Sequence, residues 1–94
     1  MEVYYKPPFR KFVKKQARPL QLVIEDAVEE IAAHPEVGEL KKGDLAGFRV
    51  YKFTFHKQMF LIAYRIQDNT LCFYMIGTHE NFYLTLKRYL RETL

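Results

Sequence analysis

The sequence predicts an α+β fold in the order βααβββα, and three observations carry it. Apolar residues recur at helical spacing through the first third of the chain, broken by prolines. Positions 48–76 hold three aromatic and β-branched runs joined by short polar turns. From Asn81 to the C-terminus the spacing is helical again. Runs linked this tightly imply an antiparallel meander, and the two helices ahead of it are expected to form a hairpin lying on that sheet. With 94 residues the chain has material for one small domain, taken as residues 1–94.

The elements follow in order. Val3, Tyr4 and Tyr5 are a short β-prone run stopped by Pro7-Pro8, and such a strand must pair within the same sheet to persist. Phe9 to Ala17 is a short basic helix, with Phe9, Phe12 and Val13 on one side and Arg10, Lys11, Lys14 and Lys15 mostly away from it. Pro19 suits the first turn of a second helix. In that helix Leu20, Ile24, Ala27, Val28 and Ile31 form the apolar stripe and Glu25, Asp26, Glu29 and Glu30 the acidic face. Pro35 restricts His34 and ends it. Residues 36–47, with Gly38, Gly43 and Gly47, read as a loop. The strand runs are Phe48–Phe55, Met59–Ile66 and Leu71–Ile76. Gly77 breaks the last of them, and Asn81–Leu94 is a final helix with Phe82, Leu86, Tyr89 and Leu90 at helical spacing.

Charge is unevenly distributed along the chain. Residues 1–18 carry six basic and one acidic residue, 19–40 no basic and six acidic, and 41–94 nine basic and four acidic, for a net charge of +4. If the two basic stretches meet in the fold, they form a surface suited to phosphate or an acidic partner; the alternative is an ordinary solvated surface. No apolar run approaches the ~20 residues that span a bilayer. The N-terminus lacks the apolar core of a signal peptide, so a cytoplasmic protein without membrane contact is expected. The single cysteine, Cys72, excludes an internal disulfide and multi-cysteine metal sites. The three histidines lack metal-ligand spacing and there is no phosphate-binding glycine loop, so neither a metal nor a cofactor is expected.

What remains is a set of cations and one well-placed histidine. Strand alternation puts Lys52 and Thr54 on one face with Phe48 and Val50, and puts Lys57, Met59, Leu61, Ala63 and Arg65 together on the next run. A cation within an aromatic strand is costly unless it reaches water or an anion, which singles out Lys52 and Arg65. His79 follows Gly77-Thr78 at the junction between strand and last helix. An imidazole there suits proton transfer. Tyr83 lies four residues later, and the two share a face if the helix has already begun.

The segments HPEVG, DLAGFRVYKFTF, FLIAYRI and IGTHENFYLTLKRYL, in this order and spacing, resemble the RelE/ParE superfamily of toxins from toxin–antitoxin pairs. The resemblance covers nearly the whole chain. It implies a twisted antiparallel sheet with an N-terminal helical hairpin packed on it and a C-terminal helix. It also implies a toxin that acts as a ribosome-dependent mRNA endonuclease, with the RNA 2′-OH as nucleophile. The alternative within the superfamily is a ParE-like inhibitor of DNA gyrase without nuclease activity. Lys52, in YKF, resembles a family segment carrying a catalytic lysine, and GTHENFY resembles the YafQ-type segment in which the histidine acts in cleavage and an aromatic follows four residues on. On this basis His79, Lys52, Arg65 and Tyr83 are the candidate catalytic residues, with Arg49, Lys57 and Lys87 as substrate-binding cations; Arg49 is the weaker for its opposite strand parity. Two departures stand out. Where many RelE-like members carry an arginine, this chain has Leu61, for which Arg65 is the candidate substitute. A second lysine of the family is replaced by Thr54. The expected partners are mRNA on the ribosome and a cognate antitoxin. The antitoxin is expected to bring an acidic and apolar segment and to join the toxin in a hetero-oligomer.

Overall fold

A computed structural model describes residues 1–93. The chain runs β1 (Glu2–Tyr5), α1 (Pro7–Lys14), α2 (Arg18–Ala33), β2 (Glu39–Leu40), β3 (Arg49–Phe55), β4 (Gln58–Gln67), β5 (Thr70–Thr78) and α3 (Phe82–Glu92). Short 3₁₀ turns at Pro35–Val37 and Gly43–Leu45 flank β2. The predicted βααβββα order is present, with one strand added: β2 is two residues long, too short to leave a periodic signal in what reads as a loop. Pro7 and Pro8 do more than stop β1. They form the first turn of α1, where a missing N–H costs nothing.

The five strands make one sheet in the order β1-β5-β4-β3-β2. The pairs β2·β3, β3·β4 and β4·β5 are antiparallel, while β1 lies parallel to β5, so the sheet is mixed. The physical reason is the α1–α2 hairpin, which carries the chain across the sheet between its first strand and the meander. Both meander turns are two-residue connections with consecutive left-handed residues, His56 and Lys57 in one, Asp68 and Asn69 in the other. That geometry matches the twist of the flanking strands.

Each face of the sheet has its own core. On the first, α1 and α2 pack Phe9, Leu20, Ile24, Ala27 and Ile31 against Phe60, Ile62, Tyr64, Leu71, Phe73 and Ile76. Each fully buried aliphatic or aromatic side chain here contributes roughly 1.5–3 kcal/mol. On the second, α3 and the turn around Leu45 cover Phe48, Val50, Leu61, Ala63, Cys72, Tyr74 and Met75 with Phe82 and Leu86. Burial of Cys72 pushes its thiol pKa up, against the pull of Lys6 and Arg65 nearby. Between Ala63 and Tyr64 the β4·β5 register slips: Ala63 faces Met75 and Tyr64 faces Phe73, which leaves Tyr74 without a partner. Such a bulge re-aims side chains, and Tyr74 and Met75 accordingly both enter the second core.

One buried network ties the end of α2 to the sheet. The Tyr64 hydroxyl donates to the Pro35 carbonyl (2.7 Å) and accepts from the Gly38 N–H (2.8 Å). Burial raises the Tyr64 pKa, with the Gly38 N–H and the Arg49 charge pulling the other way. A Cβ at Gly38 would stand 2.7 Å from the Tyr64 hydroxyl oxygen. Gly38→Ala and Tyr64→Phe are therefore each expected to cost about 1–3 kcal/mol, the first by collision and the second by orphaning a buried donor. The double variant removes the closest contact, though the ring Cε1 still stands 2.9 Å from the added Cβ, and should lose less than the two single losses added. Chemical denaturation of the three proteins checks this; simple additivity would contradict it.

Candidate functional site

Register sets out the second face of the sheet as cross-strand rows. Lys52 on β3 pairs with Leu61 on β4, which pairs with Gly77 on β5. One step toward the end of the sheet, Thr54 pairs with Met59, whose carbonyl accepts the His79 N–H at 3.3 Å. Alternation carried past Gly77 gives His79 the same parity as Lys52. With strands ~4.8 Å apart and ~3.4 Å per residue, the Cα atoms of Lys52 and His79 lie about 12 Å apart, a distance two side chains of this length can close around one phosphate. Lys52, Thr54, Met59 and His79 are all exposed, so this end of the face is open.

The chain then turns sharply. Asn81 takes a left-handed conformation, and α3 begins at Phe82 with its N–H directed to the His79 carbonyl (3.4 Å). His79 thus precedes the helix by three residues, and the shared helical face that would align it with Tyr83 does not form. Tyr83 instead meets the segment after β2: the Lys41 ammonium lies over its ring, 5.0 Å from the centroid. Lys41 also pairs with Glu39 at 2.6 Å. Their hydrogen bond raises the Lys41 pKa and lowers that of Glu39, on which Lys52 exerts a further pull. Both groups are accordingly charged at neutral pH. Lys87 stands 3.8 Å from Asp44. A depression of about 260 Å³ lies among Lys41, Lys42, Asp44, Leu45, Tyr83 and Lys87.

The structure divides the residues singled out from sequence. Lys52 and His79 share one end of one face, with Tyr83 and Lys87 beside it on α3. Arg65 does not join them. It sits six residues along β4 from Met59, roughly 20 Å away at strand rise. Its guanidinium packs over Phe48 (4.8 Å) and Tyr74 (5.2 Å), and its Nε donates to the Tyr74 hydroxyl (3.1 Å). The expectation that Arg65 substitutes for an arginine at position 61 is thereby corrected: the two share parity but not place. Leu61 itself is fully buried under α3. Arg49 lies apart from that end as well: its Nη1 donates to the Glu36 and Gly38 carbonyls (3.1 and 2.8 Å) and braces the turn after α2. Lys57 is exposed at the tip of the β3–β4 turn. Lys41 and Lys42 are the cations that sequence reasoning passed over; their only signal was a lysine pair inside a glycine-bounded loop.

Comparison with known proteins agrees with this architecture. A family model described as the ParE-like toxin of type II bacterial toxin–antitoxin systems matches residues 3–87. No curated protein matches the chain in sequence. Among solved structures, a chain of the intact E. coli RelBE toxin–antitoxin complex superposes with a TM-score of 0.66 at 14% identity, covering 84% of this chain and 96% of that one. A chain of the RelBE2 toxin–antitoxin complex from Mycobacterium tuberculosis gives 0.66 at 23% identity, covering 83% and 96%. The isolated E. coli RelE toxin gives 0.65 at 13% identity over 99% and 98%. At these identities the likeness is one of fold.

Proposed function

We propose that this chain, which belongs to the ParE-like toxin family of type II bacterial toxin–antitoxin systems, is a toxin that cuts mRNA on the ribosome. The observation that carries this is the register placing Lys52 and His79 at one open end of the same sheet face, beside the cations that ring Tyr83. In the reaction the RNA 2′-oxygen bonds to the adjacent phosphorus as the P–O5′ bond breaks, leaving a 2′,3′-cyclic phosphate and a 5′-hydroxyl. The 2′-OH must lose a proton and the departing oxygen must gain one. His79 serves one of these transfers. Lys52 faces the negative charge that grows on the phosphate oxygens, while Lys41 holds Tyr83 from the β2 side. Tyr83 stacks on a base or positions the phosphate, and Lys87 and Lys57 contact the backbone further out. The ribosome supplies the alignment of message and toxin that a protein of 94 residues lacks surface to provide.

A second reading is favoured by a specific observation. Leu61 fills an apolar, buried position and Arg65 lies at the far end of β4, which leaves fewer cations at the open end of the middle strands than the RelE-like expectation holds. A gyrase inhibitor needs no such clamp. Purified protein distinguishes the two. With ribosomes programmed with a defined message it should yield fragments ending in a cyclic phosphate, and it should leave gyrase supercoiling of a relaxed plasmid untouched. Free RNA should be cut poorly. Inhibited supercoiling with an intact message would reverse the assignment.

The RelE structures come from complexes with an antitoxin as well as from free toxin, and we extend the pairing to this chain. A groove of about 660 Å³ runs between α1 and α2, lined by Phe9, Val13, Ile24 and Val28, with Arg10, Lys11 and Lys14 on its α1 side and Glu25 and Glu29 on its α2 side, so that acidic residues of a partner belong along α1. An antitoxin segment with apolar anchors and acidic residues fits it, folding as it binds. Association should slow as salt rises while the apolar anchors hold dissociation nearly constant. Stopped-flow mixing with the product of the adjacent gene checks this, and a salt-independent association rate would contradict it.

A further inference from the structure

At the end of the second sheet face away from His79, five side chains form a ladder in which rings and cations alternate. The Lys6 ammonium lies 5.4 Å from the Tyr4 ring centroid and 5.3 Å from that of Tyr74. The Arg65 guanidinium lies 5.2 Å from the Tyr74 centroid and 4.8 Å from that of Phe48. Tyr74 is thus shared between two positive charges. Tyr4, Cys72 and Arg65 are cross-strand partners in one row across β1, β5 and β4, and the bulge at Ala63–Tyr64 gives Tyr74 its place beside that row. Both cations are half-buried, yet among the described residues neither forms an ion pair with a carboxylate. Arg65 donates through Nε to the Tyr74 hydroxyl, and neither of its Nη groups has a hydrogen-bond partner among the described residues. Two half-buried cations without a carboxylate partner are packed against aromatic rings with their unbonded N–H groups open to solvent, so cation–π contact offsets part of the desolvation and an anion can bind without displacing an existing partner.

We propose that this ladder is a second binding site for single-stranded RNA. The phosphates lie on Lys6 and the Arg65 fork, and a base stacks on Tyr4, which is 50% exposed at the free edge of β1. The inference rests on RNA being the toxin's target and adds a contact roughly 20 Å from the cleavage end. Two features favour RNA over an acidic peptide. None of the five ladder side chains lines the α1–α2 groove or the depression beside Tyr83, and the groove is reached only through Tyr5 and Pro7 beside Lys6, so neither cavity gives a peptide's apolar anchor a place within the ladder itself. And an exposed ring flanked by cations matches sequence-tolerant base stacking over a charged backbone track.

The test is the anisotropy of a fluorescein-labelled oligouridylate of about twelve nucleotides, titrated with the full chain across a salt series. All proteins carry His79→Ala, which keeps the probe intact where the toxin cuts RNA and changes nothing in the comparison where it does not. Tyr4→Ala should weaken binding roughly 5- to 150-fold, the range typical of a lost base stack. Lys6→Gln should reduce the slope of log affinity against log salt by about 0.7, the value for one phosphate contact on a single strand. Arg65→Gln should do likewise; because Arg65 packs on Phe48 and Tyr74, a loss of fold in that variant leaves Tyr4→Ala and Lys6→Gln, both on or next to an edge strand, to decide. Unchanged affinity and slope in these two would overturn the proposal. So would an acidic peptide such as oligoglutamate that binds through Tyr4 and Lys6 more tightly than the RNA. Failure of the cleavage assignment reads differently: the His79 protein as it naturally stands would leave ribosome-bound message uncut, whatever the ladder binds.

Discussion

His79→Ala is expected to abolish mRNA cleavage and growth arrest while leaving the fold intact. The imidazole is exposed, and the residue is tied to its surroundings through its backbone, its N–H to the Met59 carbonyl and its carbonyl to the Phe82 N–H. An alanine keeps both. What is lost is a proton-transfer group, typically worth ~10²–10⁴ in rate. Lys52→Ala should slow the same step by a smaller factor, because it removes charge stabilisation and leaves the proton-transfer group in place. Single-turnover cleavage on programmed ribosomes, with circular dichroism to establish the fold, measures both. A folded His79→Ala protein that cuts at the parental rate would remove His79 from the chemistry.

Leu86→Ala is expected to have the largest effect on stability. Leu86 is fully buried and packs α3 onto the second face of the sheet. Its truncation leaves a cavity between helix and strands that costs about 2–5 kcal/mol. For a chain of this length total stability is on the order of 5–14 kcal/mol. Each kcal/mol moves the melting temperature by roughly 4–8 °C, so a fall of about 10 °C or more should appear in calorimetry. The same helix carries Tyr83 and Lys87, so cleavage should weaken even at temperatures where the protein remains folded. Leu84, exposed on the outer face of the same helix, provides the contrast: Leu84→Ala should shift the melting temperature little.

Much of the fold was legible because its signals are local. Prolines and helical stripes define α1 and α2, and two-residue polar turns define the meander. The parallel pairing of β1 with β5 was not, since nothing in a four-residue strand names a partner sixty-odd residues away. The site was legible in part. Strand parity identifies the face of Lys52, and parity set Arg49 apart before its bonds to the Glu36 and Gly38 carbonyls were visible. Parity says nothing about distance along a strand, however. Leu61 and Arg65 share a face, yet four residues separate them by ~13 Å, enough to carry Arg65 out of the cleavage end. Nor does alternation survive a bulge: Tyr74 and Met75 are sequence neighbours that enter the same core. Lys41 stayed hidden because its importance comes from Tyr83, forty-two positions later, over which it lies.

The central claim is that the open end of the sheet face around Lys52 and His79 cuts mRNA within the ribosome. Mapping mRNA 5′ ends in cells shortly after induction tests it most directly. The account predicts new ends within the codon occupying the ribosomal A-site, present with the parental protein and lost with His79→Ala. Intact messages together with arrested DNA supercoiling would contradict it.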